Sequence, residues 1–302
     1  MLLCASGLRP PSSVGEEPLL RLVADAGCQG ILLGEGCTLP AAAPLVTRAL
    51  RAGLAVGALA APLGDGAIGV RKRLPCLAAR ERDEREAAIE LVARVMALAG
   101  SVGASLVSLH MGWLPLAARP AELSRFFRRR EVGEGDEGEA CLADALEERR
   151  ATVDRALDAC RWSLDALARE GERRHVRIAV ELAATPWGVP SPREGLDLMP
   201  GYDGTQIGVV LDPARLTLMG RLGLSISRER LASLRAATLL VAANEAVGLD
   251  AGYLPGLGER DPVLAARDGV PADTLVALIG GPDSTDAEVS AAVAMLRAEA
   301  KG

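Results

Sequence analysis

Short apolar runs alternate with longer amphipathic stretches along the whole chain. The runs occupy residues 2–5, 30–33, 54–60, 105–110, 177–182, 208–212, 238–242 and 274–279. Each is apolar at successive positions rather than at every second one, the pattern of parallel strands covered on both faces. Between them lie helical stretches, clearest over residues 141–168. There Leu142, Leu146, Val153, Leu157, Cys160, Leu164 and Leu167 recur at spacings of three, four or seven and form one stripe. Two start signals mark helices: Ser191-Pro192-Arg193-Glu194, with proline at the first helical position, and Thr285-Asp286-Ala287-Glu288.

The repeated strand-then-helix order predicts an α/β fold with a parallel sheet. Eight strands in 302 residues favour closure into a single (β/α)8 TIM barrel spanning residues 1–302, since such a barrel uses roughly 250 residues. The alternative is an open, doubly wound sheet, but no Gly-x-Gly-x-x-Gly follows the first run. Two segments break the repeat. Residues 115–140 carry a basic run at 125–130 and an acidic, glycine-rich run at 131–139, read as an inserted helix and flexible acidic loop. Residues 247–272 are rich in Gly, Pro and Asp and leave little room for a helix before the last strand.

Composition narrows the classes. With 34 basic against 40 acidic residues the net charge is −6, and aromatics make up 2%. Nucleic-acid binding is therefore not expected, since both the cationic track and the stacking platforms are missing. No window of 18 uncharged apolar residues exists, so no membrane partner is expected. None of the six cysteines forms a C-x-x-C pair, and no leader is apparent at residues 1–6, so the reducing cytoplasm is the expected compartment. Two histidines do not furnish a multi-zinc site.

In a barrel of this kind chemistry sits at the C-terminal strand ends. The fourth run ends in His110-Met111-Gly112-Trp113, the fifth in Glu181, the sixth in Asp212-Pro213-Ala214-Arg215 and the seventh in Ala242-Ala243-Asn244-Glu245. Glu181 and Asp212 are the sharpest pair, each a carboxylate closing an apolar strand. Neighbouring parallel strands lie about 4.8 Å apart, so both side chains can converge on one point. Two close carboxylates repel unless a cation or a shared proton intervenes, and oxygen ligands suit Mg²⁺ or Mn²⁺. The structural alternative has them capping loop amides or pairing with Arg215. His110 is a ligand, a general base or a substrate donor, or else is bonded to a loop. Arg215 holds an anionic group or neutralises Asp212. Trp113 and Trp187 wall a pocket or simply pack their loops. His175 falls at the other end of its strand and reads as structural.

These stretches resemble the xylose-isomerase-like barrel superfamily, which includes sugar-phosphate isomerases and epimerases. The likeness is strongest from residue 81 to 262. It rests on residues 103–112, on Val176–Leu182 with its glutamate, on Ile207–Pro213 with its aspartate, and on Leu257-Gly258-Glu259-Arg260-Asp261. The resemblance implies a metal ligand and acid/base at Glu181, a ligand at Asp212, a small-molecule substrate and a homodimer. The departures are specific. Arg215 stands where the family has histidine, Ala242-Ala243-Asn244-Glu245 replaces a His-x-Lys-Asp, and residues 275–279 lack the second glutamate. His110 or Glu245 would have to supplement a weakly held Mn or Mg ion, if one binds at all.

Three functions follow from that reading. The first is a divergent isomerase, epimerase or lyase acting on a small polyhydroxylated or anionic substrate. Glu181 and His110 would be catalytic, with Arg215, Trp113, Asn244 and Trp187 binding substrate. The second is a non-catalytic barrel kept as a binding or partner subunit. The third is a different, metal-free step on the same fold.

Overall fold

The computed structural model describes residues 3–6, 16–34, 39–61, 76–116, 136–202, 204, 206–247, 250–265, 267–280 and 284–299. Eight strands form the barrel: β1 (Leu3–Ser6), β2 (Gly30–Leu33), β3 (Ala55–Ala61), β4 (Leu106–Leu109), β5 (Arg177–Val180), β6 (Ile207–Leu211), β7 (Thr238–Ala243) and β8 (Leu275–Ile279). Each pairs parallel with its successor, and β8 pairs with β1 to close the ring. Every predicted run overlaps one of these strands, with bounds that differ by no more than two residues at either end. The open-sheet alternative is excluded by the β1–β8 register, in which Leu3 faces Val276 and Ser6 faces Ile279.

Helices α1 (Glu16–Asp25), α2 (Leu39–Arg51), α3 (Arg82–Ser101), α4 (Asp136–Arg174), α5 (Pro192–Leu198), α6 (Pro213–Arg221), α7 (Arg228–Ala236), α8 (Pro262–Ala265) and α9 (Asp286–Glu299) fall between and after the strands. Both predicted capping boxes form. Ser191 and Glu194 exchange side-chain and backbone bonds at the start of α5, as do Thr285 and Glu288 before α9. The stripe predicted over residues 141–168 lies on α4, where Cys160, Leu164 and Leu167 are fully buried. α4 ends at His175, which takes a left-handed φ of 55° while Val176 N–H donates to the Gly171 carbonyl. That is the six-to-one bond of a helix stop, and it gives His175 a structural place. The expected insertion around 115–140 lies mostly outside the described residues, which exclude 117–135.

Strand parity decides what the barrel presents at its mouth. Successive side chains alternate between the two faces of a strand. Ala58 and Ala60, Leu106, Ala179, Val210, Leu240 and Ala242, and Leu275 and Ala277 pack into one inner cluster. The residues between them, such as Val107, Leu109, Ile178, Val180, Val209, Leu211, Val241 and Leu278, face outward and pack against helix residues such as Val92 and Leu164. Counting two onward along each strand puts Ser108 and His110, Glu181, Asp212 and Asn244 on the inner face. The matching end of β8 is Ile279, packed against the inner cluster.

Candidate active site at the barrel mouth

The inner parity brings polar groups together from four consecutive staves, β4, β5, β6 and β7. Glu181 and Asp212 are 8% and 5% exposed. The guanidinium between them belongs to Arg215, in the first turn of α6. Asp212 is the N-cap of that helix, with Pro213 at the first helical position, and its Oδ1 accepts from the Arg215 amide at 3.0 Å. The same turn lets the side chain fold back over the mouth. Nη1 donates to Glu181 Oε2 at 2.9 Å and to the Leu182 carbonyl at 3.2 Å, while Nε lies 3.2 Å from Asp212 Oδ2. Asp212 is thus at once a helix cap, an ion-pair partner and a wall of the site.

Electrostatics separate the two acids. Burial pushes Glu181 upward, but Arg215, His110 and the hydroxyl of Ser108 together hold it below its ordinary value. Burial dominates at Asp212 and raises it, although Arg215 and Asn244 pull the other way. His110 is lowered, chiefly by burial, with Glu181 opposing and Arg215 reinforcing. The site at neutral pH therefore holds an ionised Glu181 beside a neutral imidazole. Ser108 was not singled out from sequence; its signal is a hydroxyl on inward parity in an otherwise apolar strand, two residues before His110.

The remaining predicted residues have definite places. The His110 ring packs on Trp113 with centroids 4.4 Å apart at 43°. Trp113 is 41% exposed and lies in the short strand Gly112–Trp113, which pairs antiparallel with Gly188–Val189. Trp187 is half-buried against the outer core, and its carbonyl accepts from Leu114 N–H at 2.6 Å. Asn244 is buried. Its Nδ2 lies 3.5 Å from Asp212 Oδ2, and its Oδ1 has no hydrogen-bond partner among the described residues. Glu245 is not brought to the cluster: its Oε2 accepts from the amides of Gly256 and Gly258, both at 2.9 Å. In the stretch Leu257–Asp261, Glu259 pairs with Arg221 and Arg260 with Glu299.

The ribbon carrying Trp113 is held from behind by Arg149 of α4, a residue sequence reading passed over. It is 3% exposed and donates to the carbonyls of Pro186 and Gly188 and to both carboxylate oxygens of Glu194. Gly112, at φ 136°, lies so close to Cys76 that a Cβ there would meet its Sγ at 2.0 Å.

No family model and no curated protein sequence matches the chain. Solved structures match along its length. A 3-keto-D-glucoside 4-epimerase from E. coli shares 13% identity at a TM-score of 0.64, covering 99% of both chains. A D-tagatose 3-epimerase-like protein shares 14% at 0.63, covering 100% of this chain and 97% of the other. An IolI protein, described with a bound zinc atom, shares 14% at 0.61, covering 99% and 98%. The fold is that of the xylose-isomerase-like barrels.

The donor set does not fit a divalent ion of the kind that fold leads one to expect. Both oxygens of Asp212 and Oε2 of Glu181 already accept from Arg215 or Asn244. Glu245 is engaged by backbone amides, and among the described residues no group of three His, Cys, Asp or Glu side chains is placed to hold a metal. Among those residues, too, no helix is long and apolar enough to cross a membrane.

Proposed function

We propose that the chain is an isomerase- or epimerase-like enzyme that moves a carbon-bound proton on a small polyhydroxylated or anionic carbonyl compound. Glu181 is its acid/base. The observation that carries this reading is the convergence of Glu181, His110 and the Arg215 guanidinium at one barrel mouth.

Glu181 takes a proton from the carbon beside the carbonyl. Arg215 stabilises the negative charge that then develops on oxygen, an interaction worth most where water is excluded. His110, neutral and a single donor, hydrogen-bonds the substrate and steadies its orientation. Asn244 Oδ1 accepts from a substrate hydroxyl, and Trp113 and Trp187 wall the pocket. Inversion at one carbon needs a group on each face. Among the described residues the polar groups come from β4 to β7, and the β8 end supplies Ile279. The chemistry that suits such one-sided placement is return of the proton to a neighbouring carbon, or loss of a β-hydroxyl. No step runs through a metal.

The setting is a one-domain barrel over residues 1–302 in a reducing cytoplasm, consistent with free thiols at Cys28 and Cys160. A homodimer is the assembly that resemblance suggests, and sedimentation checks it.

A second reading, a non-catalytic binding barrel, is favoured by one fact: Arg215 already engages both carboxylates. Proton exchange separates the two. Ketoses, aldoses and sugar acids are incubated with the protein in D₂O and followed by proton NMR. An enzyme exchanges a carbon-bound proton of at least one compound, and Glu181→Gln abolishes the exchange. A protein that binds a sugar without exchanging it is the second kind.

A further inference from the structure

We infer that Arg215 is the resident cation of this site, built into the fold where a divalent ion would otherwise bridge Glu181 and Asp212. This rests on the reading of the mouth as an active site, although its test does not depend on turnover. Two carboxylates more than nine-tenths buried, converging on one side of a barrel, need positive charge between them. The guanidinium supplies it from a covalent tether. Its Nη1 reaches Glu181 Oε2 at 2.9 Å and its Nε reaches Asp212 Oδ2 at 3.2 Å. Its planar fork of donors suits carboxylates, remains charged at every working pH, and presents no lone pair.

The tether is part of the design of the strand end. Asp212 caps α6, and the helix turn that begins there carries Arg215 back over the aspartate that starts it. A hard dication needs several oxygens, up to six for Mg²⁺. Here it would have to compete with a fixed positive charge for oxygens already bonded. Among the described residues no third carboxylate joins its shell: the β8 end supplies Ile279, Glu245 is turned to the amides of Gly256 and Gly258, and beside the pair stand only the amide oxygen of Asn244 and the imidazole of His110.

The test is Mn²⁺ and Zn²⁺ binding, read by equilibrium dialysis and by the melting temperature. Wild-type protein holds neither ion stoichiometrically, and its melting temperature does not respond to them. Arg215→Ala uncovers the two carboxylates, binds Mn²⁺ at least about tenfold more tightly and melts higher in its presence. Arg215→Gln keeps the bulk without the charge and gives the same result, should the alanine variant fold poorly. A stoichiometric ion in wild-type protein that Glu181→Gln releases overturns the inference. So does an arginine variant that folds and stays indifferent to both ions. Absence of proton exchange in an otherwise metal-indifferent protein defeats the proposed function and leaves this inference standing; a tightly held ion in an exchanging enzyme does the reverse.

Discussion

Arg215 Nη1 lies 2.9 Å from Glu181 Oε2 although 34 positions separate them in the chain. The contact joins the first turn of α6 to the end of β5, and it ties two neighbouring staves across a mouth that would otherwise hold facing negative charges. Stability and chemistry are therefore coupled at one side chain.

Removing that side chain leaves Glu181 and Asp212 buried without a counter-charge. Arg215→Ala is expected to cost roughly 3 kcal/mol of stability near pH 8, the order seen when one partner of a buried pair is deleted. The cost shrinks toward pH 5. Without the cation, burial raises both carboxyl groups in the folded state, and an acid whose folded value lies above its unfolded one favours the fold only while protonated. Urea unfolding at the two pH values measures the difference. An equal loss at both would mean that the carboxylates are not the reason for it.

His110 sets a second pH dependence, with its own sign. Burial lowers its folded value below the ordinary 6.5 despite the pull of Glu181. The unfolded chain then binds the proton more readily, so this residue's contribution is complete above pH 6.5 and is lost as pH falls from there toward the lowered folded value. His110→Gln, which cannot take up the proton, should flatten the stability curve as pH falls below 6.5. Glu181, also held low, loses its contribution only below its unfolded value of 4.5, so its effect sets in at lower pH than that of His110. Denaturant midpoints across the range resolve them.

The strand ends were legible because each polar residue there closes a largely apolar run, interrupted on β4 only by Ser108, and a polar group in that position stands out. Parity adds what the runs alone do not show. Counting by twos along β4, β5, β6 and β7 selects His110, Glu181, Asp212 and Asn244 for the interior, and rejects Glu245, one residue further on. Arg149 was not legible. It stands in the charged run Glu147-Glu148-Arg149-Arg150, which reads as a solvated helix face. Its burial depends on where residues 186–194 return against α4, a contact between segments some forty positions apart. The ribbon Gly112–Trp113 with Gly188–Val189 escaped for the same reason: two-residue strands carry no periodicity.

Arg149 should matter more to stability than any exposed arginine. Arg149→Met keeps the aliphatic bulk but strands the carbonyls of Pro186 and Gly188 and frees Glu194, whose Oε2 also accepts from Ser191 N–H at 2.7 Å. The expected loss is about 3 kcal/mol, with Trp113 and Trp187 fluorescence changing as the ribbon loosens. Arg149→Lys keeps the charge without the fork and should recover only part of the loss. Full recovery would show that charge alone suffices. Urea titrations of the three proteins decide it.

Gly112 offers a test with two separable components. Its φ of 136° is open to glycine and strained for other residues, and a Cβ would sit 2.0 Å from Cys76 Sγ. Gly112→Ala should therefore destabilise by about 2–3 kcal/mol, combining overpacking with backbone strain. Cys76→Ala removes the sulfur, and the nearest atoms then left to the new methyl group are the Cβ atoms of Ala78 at 3.4 Å and of residue 76 at 3.5 Å, ordinary contact distances. The double variant should regain the steric part over the single Gly112→Ala change and keep the conformational part, roughly 1 kcal/mol. A double-mutant cycle on unfolding free energies measures that coupling. Strict additivity would mean that the sulfur does not close the space beside Gly112, and that the glycine is held there by its backbone angle alone.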